Sequence, residues 1–85
     1  MRPSKEAILE VAKKAILEVA DEYTSASKAY PPMYSPHEGF AIILEEVVEL
    51  MREVFKKQTE HDVDAMRKEA KQIAAMAIRF MVDLT

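Results

Sequence analysis

The sequence predicts an all-α fold, and three observations carry that prediction. Apolar residues recur at three- and four-residue spacing through three separate segments, the period of a helix with one buried face. Only one glycine and four prolines punctuate 85 residues of which 49% are hydrophobic, a composition suited to a compact helical protein. Serine, proline and acidic residues also stand where helices begin, at Ser4, at Ser35-Pro36-His37-Glu38 and around Thr59–Asp62.

The first helix is expected over about 4–27. Ser4 caps it, Glu6 sits in its first turn, and Ile8, Val11, Ala12, Ala15, Ile16, Val19, Ala20 and Tyr23 mark its apolar stripe. AILEVA occurs at 7–12 and again at 15–20, too short a unit for a solenoid and read as local duplication of good helix formers. Fraying is expected around Ser25–Lys28, because Tyr30-Pro31-Pro32-Met33-Tyr34 cannot continue a helix. The second helix, about 36–58, opens on a serine N-cap, a proline at the first helical position and a glutamate placed to close a capping box. The third, about 62–84, runs through Val63, Met66, Ala70, Ile73, Ala77, Phe80 and Leu84. The architecture is one domain: an N-terminal helix, a proline-rich loop, then a helical hairpin.

A chain this short has little interior of its own. Without cysteine it has no disulfide framework, thiolate zinc site or cysteine nucleophile, which leaves self-association or a metal held by oxygen. Twelve basic against fifteen acidic residues give a net charge of −3 with no basic block, so no nucleic-acid partner is expected. The longest apolar run, Ile73 to Ile78, is far short of a membrane span, and the first residues are charged rather than signal-like. A soluble, cytoplasmic protein with no membrane partner is the expectation.

At about 100° per residue, Phe40, Ala41, Ile43, Leu44, Val47, Val48, Leu50, Met51, Val54 and Phe55 fill roughly half the circumference of the second helix. The other half carries Glu45, Glu46, Glu49, Arg52, Glu53 and Lys56, with like charges at Glu49/Glu53 and Arg52/Lys56. Ile42 interrupts this polar arc a turn before Glu46, as though something covers it. On the third helix Glu69 falls inside the apolar stripe between Met76 and Phe80, with no basic neighbour on its own side. A carboxylate there needs a pair, a hydrogen bond or a metal, pairing across helices being the ordinary explanation. Glu46 and Glu49 share one side of a helix, Glu69 and Gln72 have the same spacing, and two antiparallel helices can oppose such pairs in an oxygen-rich cage for Mg²⁺ or Mn²⁺.

Glu45-Glu46-Val47-Val48-Glu49 followed by Glu69-Ala70-Lys71-Gln72, with 19 residues between Glu49 and Glu69, resembles the EExxE…ExxD signature of MazG-like all-α nucleoside triphosphate pyrophosphohydrolases. The segments 35–50 and 69–84 resemble a small single-domain branch of that family, so the likeness covers about half the chain. It implies a MazG-like four-helix-type bundle completed by a homodimer or homotetramer. It also implies Mg²⁺-dependent hydrolysis of a nucleoside triphosphate to the monophosphate and pyrophosphate, with clearance of unwanted nucleotides as a role. Glu46, Glu49 and Glu69 would then ligate the metal, joined by Gln72, and Glu45 would orient water. Gln72 departs from the signature, because an amide oxygen can ligate but brings no negative charge. A catalytically weakened relative that binds nucleotide or metal, or serves as a helical assembly module, is the alternative.

The remaining candidates are less specific. Tyr30, Met33, Tyr34 and Phe40 form either a wall for a nucleobase or an aromatic plug for the loop. Arg67, Lys68, Lys71 and Arg79 could meet triphosphate oxygens, though solvation is the ordinary role of such charges. His37 and His61 lack the spacing of a zinc site and are read as solvated helix-end residues. Met51, Met66, Met76 and Met81 are read as core or interface filler.

Overall fold

The computed structural model describes residues 3–85 and contains, among them, three α-helices and no strand. Helix α1 spans Lys5–Ala29, α2 Pro36–Val54 and α3 Val63–Leu84, with a short 3-10 turn at Gln58–Glu60. Each start is capped as the residue types dictate: Ser4 Oγ accepts from the Ala7 amide (3.2 Å), Ser35 Oγ from that of Glu38 (3.2 Å) and Asp62 Oδ1 from that of Ala65 (3.0 Å). No described helix is long and apolar enough to cross a membrane.

Two helix ends differ from the expected ones. α1 runs on through Ser25–Lys28 to Ala29, because Ala26 is buried against α3 and the Tyr30 amide closes the last turn on the Ala26 carbonyl. Tyr30 itself is extended, as a residue before proline must be. α2 stops at Val54, four residues short of Gln58. Phe55 leaves helical geometry, and the imidazole Nε2 of His61 lies 2.9 Å from the Val54 carbonyl, donating to a group the helix leaves open. His61 thus has a fixed role in the reversal between α2 and α3.

Helix α3 is the centre of the fold. α1 and α2 each pack on it and make no pairing with one another. Ala75, fully buried, and Met76 meet Ala26 of α1 and Met33 of the loop, with Val19, Tyr23, Ile42, Ile43, Phe80 and Leu84 packed around them. Only the C-terminal half of α1 joins this cluster. Ile8, Leu9, Val11, Ile16 and Leu17, part of the expected stripe or beside it, remain exposed.

The face that α2 turns inward is also displaced from the expected arc. It runs through Gly39, Ile43, Glu46, Leu50 and Glu53, whereas Phe40, Leu44, Val47 and Met51 point to solvent. Gly39 explains the rotation. A β-carbon there would stand 2.8 Å from both Leu84 Cδ1 and Phe80 Cδ2 and 3.1 Å from Met33 Sδ, so the absence of a side chain lets α2 lie close on α3 at this point. Gly39→Ala should therefore be destabilising by about 1 kcal/mol, since a steric cost of about 1–3 kcal/mol exceeds the gain in helix propensity of about 1 kcal/mol. Urea denaturation checks this; a variant as stable as the parent would mean that the seam yields freely.

Ion pairs on the surface follow the i,i+3 rule and relieve the like-charge repulsions read from sequence. Arg52 pairs with Glu49 (3.1 Å) and Lys56 with Glu53 (2.9 Å). Arg67 joins α3 to α1 through Glu18, with Nε 3.0 Å from Oε2, and this guanidinium holds the Glu18 carboxyl below its usual range.

Candidate functional site: an acidic cleft over α3

Because α1 and α2 splay apart on either side of α3, an open cleft of about 530 Å³ lies between them with α3 as its floor. The end of α1 and the proline loop contribute Glu22, Ala26, Tyr30 and Pro31; α2 contributes Glu38, Ile42, Glu45 and Glu46; α3 contributes Gln72, Met76 and Arg79. Ile42, the apolar residue interrupting the polar arc of α2, is covered because it faces both this cleft and the core.

Glu46 stands at the middle of the inward face of α2, and its carboxyl group meets that of Glu69 across the α2–α3 seam, close enough to hydrogen-bond through a proton. Burial pushes the Glu46 carboxyl above its usual range; the hydrogen bond to Glu69 and the negative charges of Glu69, Glu49 and Glu45 push it further the same way. Glu46 and Glu69 meet because both face the seam between α2 and antiparallel α3, the same seam that Gly39 enters near the start of α2 against Phe80 and Leu84. The intrahelical spacing of each residue is legible in the sequence. Their meeting depends on which face α2 turns to α3.

Gln72, one turn beyond Glu69, donates its amide Nε2 to Glu22 Oε1 at 2.8 Å. Glu22 was not among the residues singled out from sequence, because on α1 it reads as one more charge beside the stripe; it faces the cleft only because Val19, Tyr23 and Ala26 seat that turn of α1 on α3. With the amide nitrogen engaged, the Gln72 oxygen is the atom left for a ligand.

Other candidates lie elsewhere. Glu49 is turned to Arg52 and lines a separate shallow groove with Leu44, Glu45 and Val48. Among the described residues, no three acidic or histidine side chains converge in the manner of a metal site. The donor set nevertheless has the right chemistry for a hard cation: Glu46 and Glu69 supply paired carboxylate oxygens, and the exposed Glu49–Arg52 pair restrains Glu49 only weakly. Tyr34 and Phe40 are exposed and outside the cleft, whereas Met33 is core and Tyr30 alone of that quartet lines it. Lys68 and Lys71 border a different small depression with Glu18, Asp64 and Arg67.

Arg79 and Asp83 have roles that sequence reasoning did not reach. Arg79, which the sequence offers either as a contact for triphosphate oxygens or as a solvated charge, is buried and donates from Nη2 to the Pro31 carbonyl (2.8 Å). Asp83 Oδ2 accepts from the Met33 amide (2.9 Å), so α3 grips the proline loop at two points. Compared with family models, with curated proteins and with solved structures, the chain matches none.

Proposed function

We propose that the protein is a divalent-cation-dependent nucleoside triphosphate pyrophosphohydrolase, and the observation that carries the reading is the pairing of Glu46, in the cleft wall, with Glu69, which lies beside it outside the cleft lining. Two acids brought together, with burial and its acidic neighbours pushing the Glu46 carboxyl above its usual range, form a site with a demand for positive charge. Glu46 and Glu69 would hold Mg²⁺ or Mn²⁺, Glu49 would join after releasing Arg52, and the free oxygen of Gln72 would complete the set. The bound cation would supply neutralisation of charge on the phosphoryl oxygens and on departing pyrophosphate. Glu45, on the α2 wall, accepts a hydrogen bond from the water that attacks the α-phosphorus; the bond from that phosphorus to the bridging oxygen breaks, giving monophosphate and pyrophosphate. Tyr30 offers the cleft an aromatic surface.

A second copy of the chain belongs to this reading. Phe40, Leu44, Val47 and Met51 form an exposed apolar stripe at four-, three- and four-residue spacing on α2, the pattern that packs against another helix. The Cα radius of gyration, 14.9 Å, exceeds the roughly 12 Å of a compact chain of this length. Both features support a homodimer or homotetramer in which further helices cover that stripe.

The test is pyrophosphate release over a panel of ribo- and deoxynucleoside triphosphates with Mg²⁺ or Mn²⁺, run beside Glu49→Ala. Metal-dependent release that falls by about 10-fold or more in the variant, the scale of losing one metal-orienting group, is expected. A folded protein that binds the cation and releases pyrophosphate from no nucleotide would transfer the reading to a binding module without catalysis, which the Glu49–Arg52 pairing would then explain.

A further inference from the structure

Arg79 is 5% exposed, yet it lines the cleft. A guanidinium carries five N–H donors. Here Nη2 serves the Pro31 carbonyl and Nη1 the thioether of Met76 at 3.6 Å, a weak acceptor. Among the described residues no carboxylate lies within ion-pairing distance of it. Its natural i+4 partner on α3, Asp83, is instead committed to the Met33 amide. A buried cation with a carbonyl and a sulfur as its partners is poorly compensated, and a methionine of similar length would fill the same space without that cost.

We infer that Arg79 is the phosphate-binding residue of the cleft, taking oxygens of a polyphosphate chain whose other end is complexed by a cation at Glu46 and Glu69. For the identity of the anion this rests on the proposed function. Arg79 lies seven residues, about 10 Å by helical rise, along α3 from Gln72, so cation and guanidinium address two parts of one ligand. The remaining charged residues of the cleft wall, Glu22, Glu38, Glu45 and Glu46, are all acidic and repel a bare anion. The polyphosphate therefore enters with its metal, and the planar fork of Arg79 fits phosphate oxygens better than a lysine would.

Calorimetric titration of the full chain with inorganic tripolyphosphate, with and without Mg²⁺, tests this. Binding is expected with Mg²⁺, about tenfold weaker or worse in Arg79→Met, and partly retained in Arg79→Lys. Asp83→Asn, which disturbs the other anchor of the same loop, should bind as the parent does, and free Arg79→Met should melt no lower than the parent. Unchanged affinity in Arg79→Met, equal weakening in Asp83→Asn, or no binding to the parent would overturn the inference; equal weakening would make Arg79 a loop anchor only. Should Arg79→Met fail to fold, affinity in Arg79→Lys equal to the parent's would overturn it as well. The two proposals fail separately. Arg79-dependent tripolyphosphate binding without hydrolysis of any nucleotide removes the enzyme and keeps the phosphate site, whereas hydrolysis with the same KM in Arg79→Met does the reverse.

Discussion

Replacing Glu69 with glutamine is expected to lower metal-dependent pyrophosphate release by about 10²–10³-fold, the scale of removing one preorganised electrostatic contact, and at the same time to raise thermal stability at neutral pH. The two effects have one cause. In the parent, burial and the acidic neighbours, Glu69 foremost, raise the Glu46 carboxyl above its ordinary value of 4.5. A carboxyl whose pKa is raised by folding binds its proton more tightly in the folded chain than in the unfolded one, so its contribution is fully present below 4.5 and is lost as pH climbs through the raised value. At neutral pH the pair is a liability. The Glu69→Gln amide carries no charge and can donate to ionised Glu46, which removes the penalty and with it half of the cation site. Thermal scans should show the variant above the parent at pH 7–8 and the two converging below pH 4.5, where protonation has already relieved the parent. Parallel profiles across that range would mean that the two carboxyls do not interact.

Met33→Ala should cost about 2–4 kcal/mol, as expected for truncating a buried methionine, against a total of about 4–13 kcal/mol for a domain of 85 residues. Met33 is a loop residue by sequence position and a core residue by burial, 4% exposed, and it seats the proline loop against Ala26, Ala75 and Met76. Its sulfur also fills the space above Gly39. Tyr34, its neighbour, is 87% exposed, so Tyr34→Ala should change stability by no more than about 0.5 kcal/mol. Urea unfolding of the two variants should show a large drop in midpoint for the first and almost none for the second, with unchanged slopes. Equal effects would mean that the loop is not anchored by burial.

The contrast between these neighbours shows what a helical wheel can read and what it cannot. Helix starts were legible because Ser4, Ser35 and Asp62 act through their own backbone neighbourhood. The end of α2 was not, since no glycine or proline marks Val54, and the stop involves His61, seven residues on, reaching back to its carbonyl. Glu69 was conspicuous because a carboxylate inside an apolar stripe needs an explanation that survives any packing. Which face of α2 meets α3 was illegible for the opposite reason. Its apolar arc is wider than one partner covers, and the choice was made by Gly39, whose missing side chain has no weight in a hydrophobic pattern. That choice places Glu46 beside Glu69, leaves Phe40, Leu44, Val47 and Met51 in solvent, and sends Glu49 to Arg52. Glu22, and the burial of Arg79 although not its candidacy as a phosphate contact, were hidden because a charge beside a stripe reads as solvated until the chain packs over it.

Glu46 and Glu69 are proposed here as the two halves of one divalent-cation site. The most direct test of that proposal is calorimetric titration of the parent and of Glu46→Gln with Mn²⁺ at pH 7. Saturable binding to the parent and loss of that binding in the variant are the expected result. Equal binding to both proteins, or no binding to the parent, would contradict the proposed site.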